Sequence, residues 1–180
     1  MNMKRIEATF LSVLTLAAVT ACGSGKSTVS SSTSQTTTAS DSIKTPAGSV
    51  QYGYKTENGV EINIGAPSDP IVEQLGQPLK TFDAPSCAFS GTSYTYTYEK
   101  FTLETYPEDN INKVYAVTLL EGAVTPEGIK IGDSAENVKA VCGEPGKSAD
   151  SYLMYQNDDI ALQFFLSNEK VTSIVYTMMV

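Results

Sequence analysis

Apolar residues recur at two periods along this chain, and the two periods alternate in blocks. From about residue 50, stretches of alternating apolar and polar positions are interrupted by two short segments with helical spacing. Ile62 and Ile64 flank Asn63 and end at Gly65; Ile71 and Leu75 then stand four residues apart. The succession returns at Ile129, Ile131 and Gly132, followed by Val138, Val141 and Cys142. Strict alternation reads as a half-buried strand, and the i, i+4 spacing as one face of a helix. Aligned at an offset of 67, residues 62–80 and 129–147 agree without a gap at six of nineteen positions: Ile62/Ile129, Ile64/Ile131, Gly65/Gly132, Gly76/Gly143, Pro78/Pro145 and Lys80/Lys147. A segment written twice predicts a duplicated structural unit whose apolar faces are covered by its twin.

Each copy predicts a short strand that turns out at glycine and leads into a short helix. Asp69-Pro70 fits the cap and first position of the first helix. Ser134 fits the cap of the second, with Glu136 in its first turn, where negative charge suits the helix dipole. Gly76 and Gly143 supply the C-terminal turn, and Pro78 and Pro145 forbid continuation. Strands then follow at about 93–99, 101–106 and 113–120, and again at about 151–156, 159–166 and 170–177, on alternation and on their Tyr, Thr, Val and Phe content. Short polar turns between them make antiparallel hairpins the expected pairing, and Asn58-Gly59 predicts one more, between Gln51–Lys55 and Val60–Ile64. The expected fold is α+β: tandem helix-plus-hairpin units (about 50–121 and 122–180) forming one curved antiparallel sheet, with short helices on one face.

The first 21 residues read differently. Lys4 and Arg5 precede an apolar run from Ala8 to Val19, which ends in Val19-Thr20-Ala21-Cys22. The run is shorter than the about 20 residues a spanning helix needs and has the size of a secretory signal. Residues 22–49 are then expected to be a flexible tether. Ser or Thr fills 13 of the 19 positions from 24 to 42, too little apolar surface to fold. The tether's span would be about 30 Å.

Without residues 1–21 the chain holds ten Lys against nineteen carboxylates, and no Arg, His or Trp. Nucleic-acid binding needs clustered cations, so that class is excluded. The missing His removes Ser-His-Asp, Cys-His and His-based zinc sites. No cofactor and no metal site is expected; the acids at Glu108-Asp109-Asn110 and Asp158-Asp159 read as solvated hairpin tips rather than converging calcium ligands.

These motifs resemble known families. The small residue before Cys22 resembles the lipobox of bacterial lipoproteins, which implies lipidation of Cys22 and a membrane anchor on the extracytoplasmic face. The tandem units, with an Ile-Gly start and a Gly-x-Pro exit, resemble the β-lactamase inhibitory protein family and the small outer-membrane lipoproteins of the barrel-assembly machinery. The phrase from Thr125 to Ser134, with Ser86-Cys87-Ala88-Phe89 and Glu104-Thr105-Tyr106-Pro107, is most similar to lipoproteins of anaerobic Gram-positive bacteria. The resemblance covers about residues 50–180. It implies protein binding through the sheet and carries no catalytic residue.

Alternation also sorts the strand residues by face. Tyr96, Tyr98, Phe101, Leu103, Val117 and Leu119 fall with Leu153, Tyr155, Ile160, Leu162, Ile174 and Tyr176, an apolar set assigned to the helix-covered core. The opposite face carries Thr95, Thr97, Thr102, Glu104, Ala116 and Thr118, with Tyr106 its one large exception. In the second half that face carries Tyr152, Met154, Ala161, Phe165 and Val175, and Phe165 is taken as the equivalent of Tyr106. Tyr106, Tyr152, Met154, Phe165 and Val175 are therefore the candidate partner-binding residues, unless the N-terminal hairpin or the segment around Cys87 covers them. Cys87, in a ten-residue excess of the first half (83–92), and Cys142 are candidates for a disulfide; their spacing alone does not establish the geometry it needs.

The expected function is a non-catalytic, lipid-anchored module that binds an envelope or extracellular protein on its open sheet face. The alternatives are a redox- or ligand-responsive envelope sensor and, behind it, an acid-dependent hydrolase built on two facing carboxylates.

Overall fold

A computed structural model describes residues 50–179 of the chain. The expected signal peptide (1–21), Cys22 and the expected tether (22–49) lie outside the described residues. The fold is α+β and mostly antiparallel sheet. A hairpin of β1 (Gly53–Lys55) and β2 (Glu61–Asn63) comes first, then α1 (Ser68–Leu75). Four strands follow: β3 (Lys80–Pro85), β4 (Thr92–Thr97), β5 (Phe101–Glu108) and β6 (Ile111–Leu119). After α2 (Ala135–Cys142) come β7 (Lys147–Ala149), β8 (Tyr152–Asn157), β9 (Ile160–Ser167) and β10 (Lys170–Met178). Apart from β1 and β2, the strands make one eight-stranded sheet in the order β3-β4-β5-β6-β10-β9-β8-β7.

Two four-stranded meanders therefore meet at β6 and β10. Leu119 pairs with Ile174, Thr118 with Val175 and Val117 with Tyr176. Exchanging the strands at an offset of 57 leaves these pairings unchanged. Each helix start is tied to its meander in the same way. Gly65 N–H donates to the Val114 carbonyl at 2.8 Å, and Gly132 N–H to that of Val171 at 2.8 Å. In return Val114 N–H reaches Ala66 O and Val171 N–H reaches Asp133 O, at 2.8 and 2.9 Å.

The helices begin differently. Ser134 caps α2 as expected, its Oγ accepting from Asn137 N–H at 3.1 Å. The cap expected at Asp69-Pro70 is not formed. α1 starts earlier, after Pro67, which has no side-chain acceptor to offer; Asp69 and Pro70 lie inside the first turn. There Pro is tolerated, because its missing N–H would have no intrahelical partner. The Ser68 hydroxyl is fully buried and donates across to the Asn112 carbonyl at 3.0 Å. The offset of 67 already placed Pro67 beneath Ser134, which was the better guide.

Both helices, the β1–β2 hairpin and one face of the sheet share a single core. Ile71, Val138 and Cys142 from the helices pack with Leu103, Val117, Leu162 and Ile174 from the strands. Tyr54 of the hairpin meets Phe101 edge-on at 5.4 Å and Tyr176 at 6.3 Å. Of the twelve strand residues assigned to the core, ten are buried in it, and Tyr96 and Ile160 pack against its margin. Burying a large apolar side chain contributes roughly 1.5–3 kcal/mol, so this face carries most of the fold's stability. β3 and β7 were not expected. They are the two edge strands, and nearly all their residues face water, so neither shows the alternation that reveals a strand.

Candidate functional site

With the helices and the hairpin on one side, the sheet's other face is left clear of them. In the second half, Tyr152 of β8 stands directly across from Phe165 of β9, and Phe165 across from Ser173 of β10. The next row runs Met154, Gln163, Val175 and, past the central join, Thr118 and Thr102. Phe165 is 39% exposed; Tyr152, Met154 and Val175 are half-buried. These four flank Gln163 in the register, and its amide nitrogen reaches Met179 Sδ at 3.9 Å. Ala161, which shares the face, is fully buried and contributes no accessible surface.

Tyr106 lies on the same face but is only 5% exposed. Phe89, from the segment between β3 and β4, covers it with ring centroids 4.8 Å apart. Gly91 (φ 133°) lets that segment lie against the sheet, since a Cβ there would be 2.9 Å from Pro107 Cβ. Tyr106 is therefore removed from the candidate surface. The equivalence drawn between Tyr106 and Phe165 is also corrected. Glu104 pairs with Ala116 and Phe165 with Ser173, each next to a bulge that leaves Tyr115 or Thr172 unpaired. Phe165 thus stands where the first half has Glu104, and Tyr106 matches Ser167. Of the possible covers, the β1–β2 hairpin lies on the helix side, whereas the Cys87 segment does cover the first half.

Cys87 and Cys142 are both free thiols. Cys87 is exposed on the covering segment of the open face, and Cys142 is buried with the helix-side core. The sheet separates the two, so the candidate disulfide is not formed. Desolvation, with a smaller contribution from the charge of Glu127, pushes the Cys142 thiol up to about 12, which makes it unreactive at neutral pH. Lys113 pairs with Glu108 beside one acidic hairpin tip. Among the described residues no group of three or more Cys, Asp or Glu could hold a metal ion, and no helix is long and apolar enough to cross a membrane.

Two further exposed apolar residues carried no alternation signal, and only Phe82 lies on the open face by register. Phe82 of β3 is 59% exposed and stands across from Thr95. Leu79, just before that edge strand, is 75% exposed. A large apolar side chain in an otherwise polar stretch next to a Gly-x-Pro stop was the only sign of either. Comparison with protein-family models, curated proteins and solved structures finds no match to this chain.

Proposed function

We propose that this chain is a lipid-anchored, extracytoplasmic, non-catalytic protein-binding module made of two copies of one unit, with the partner docking on the open face of the second copy. The observation that carries the reading is the Tyr152–Phe165 pair with Met154 and Val175, on a sheet whose opposite face is taken up by its own core. Aromatic and Met side chains grouped on an accessible surface are what partner interfaces enrich, and a pair of this kind supplies anchors. Duplication is supported by the repeated motifs, the matched hydrogen bonds at the two helix starts and the exchangeable β6–β10 register. The anchor is supported by the lipobox ending in Cys22. The likeness to the β-lactamase inhibitory protein family supports recognition through the sheet.

Among the described residues the redox alternative has no cysteine pair to act through, and Cys87 is the one exposed thiol. A pull-down from solubilised envelope tests the main reading. Wild type should retain a partner that a Tyr152→Ala/Phe165→Ala variant loses by at least about tenfold, as removal of hot-spot anchors worth roughly 2 kcal/mol or more requires. Identical catches from both proteins would remove the surface.

A further inference from the structure

The first half of the open face holds a second feature, independent of the patch around Phe165. Where the segment between β3 and β4 folds over β5 and β6, it leaves an open cleft of about 420 Å³. That is within the usual range of small-molecule sites. Its walls include the rings of Phe89, Tyr106 and Tyr115 and the side chain of Glu104. Tyr106 lies 4.8 Å from Phe89 and meets Tyr115 at 6.2 Å with planes at 75°. The bulge in β6 is what brings Tyr115 onto this face beside Ala116, since a bulge re-aims the extra side chain.

The charges in the cleft are of one sign. Glu104 is its only ionisable carboxylate, no Lys lines it, and among the described residues Glu104 makes no ion pair. Aromatic faces add negative potential, and the whole chain carries a formal charge of −8. An anionic guest is disfavoured on every count and a cation favoured. Two of the lining hydroxyls are already engaged: Ser86 Oγ accepts from Phe89 N–H at 3.2 Å, and Thr105 Oγ1 accepts from Tyr94 N–H at 2.9 Å. A primary ammonium would need several acceptors to replace its water. A quaternary ammonium needs none; it is held by ring faces and one carboxylate.

We infer that this cleft binds a small quaternary ammonium group, with Phe89 and Tyr115 as its aromatic walls, Tyr106 packed behind Phe89, and Glu104 as its counter-ion. The test is proton NMR of the detergent-solubilised full chain titrated with choline. In parallel arms choline is replaced by its uncharged isostere, with carbon in place of nitrogen, and by N-acetyl-lysine amide. Ring currents should move the choline N-methyl resonance upfield. The isostere should bind about tenfold more weakly, and Glu104→Gln should weaken choline by a similar factor. Tyr115→Leu should abolish the upfield shift, while Glu136→Gln, on the exposed side of α2, should leave it unchanged. Equal binding of the isostere, no choline binding at tens of millimolar, indifference to Glu104→Gln, or tighter binding of the lysine amide would each overturn the assignment.

Discussion

Tyr98, just past the end of β4, and Tyr155, within β8, stand at matched places, yet their hydroxyls meet different fates. Tyr155 donates to the Gly143 carbonyl at the end of α2, at 2.8 Å. The Tyr98 hydroxyl is buried with no partner among the described residues. A buried polar group without a partner costs about 1–3 kcal/mol, whereas a made bond contributes about 1. Tyr155→Phe should therefore destabilise by about 1 kcal/mol, and Tyr98→Phe should be neutral or stabilising; paired urea melts separate them, and equal losses would contradict the assignment. Burial also raises the pKa of Tyr155, Tyr176 and Cys142, suppressing their ionisation. A raised folded-state value contributes stability that is complete below the unfolded value and is lost as pH climbs towards the folded one. Thermal midpoints should thus hold from neutrality to about pH 9 and fall above it, through the window set by Cys142 at about 12 and the two phenols. A midpoint level to pH 11 would contradict that burial.

At the scale of elements, the Gly-x-Pro stops do what the spacing promised. Gly76 and Gly143 end their helices at φ 76°, ψ −160° and φ 83°, ψ −166°, a region that residues with a Cβ scarcely enter. Gly143→Ala should cost on the order of 1–3 kcal/mol, read as a lower denaturation midpoint; an unchanged midpoint would mean the stop is not enforced by glycine. Both helices and all strands with a buried face were legible, because a half-buried element writes its period into the chain. β3 and β7 were not, since exposed edges carry no period. The bulges and the unequal hairpin lengths were equally silent. Tyr98 to Phe101 spans a two-residue turn, whereas its counterpart from Tyr155 to Leu162 is longer by four. The offset of 57 between Tyr98 and Tyr155 becomes 61 between Glu104 and Phe165, so the match of Phe165 to Tyr106, at 59, fell short of it. The cover over Tyr106 was legible only as one of two alternatives, because it depends on the path of the segment around Gly91 rather than on any pattern.

In the whole molecule, one sheet has its two faces put to different uses. The helix side is filled by the chain's own side chains, and parity along the strands predicted that assignment with little error. The other side is divided at the β6–β10 join. The first half folds a loop back over its aromatics and encloses a cleft, and the second leaves its aromatics open. Four of the five residues expected at the partner surface remain on that open half; the fifth is roofed by Phe89. Photo-crosslinking in intact cells tests this division most directly, with a reactive side chain placed at Phe165 or, for comparison, at Glu136 on the exposed side of α2. The account predicts a discrete crosslinked partner from position 165 and none from 136. A partner captured from 136 alone, or equally from both, would contradict it.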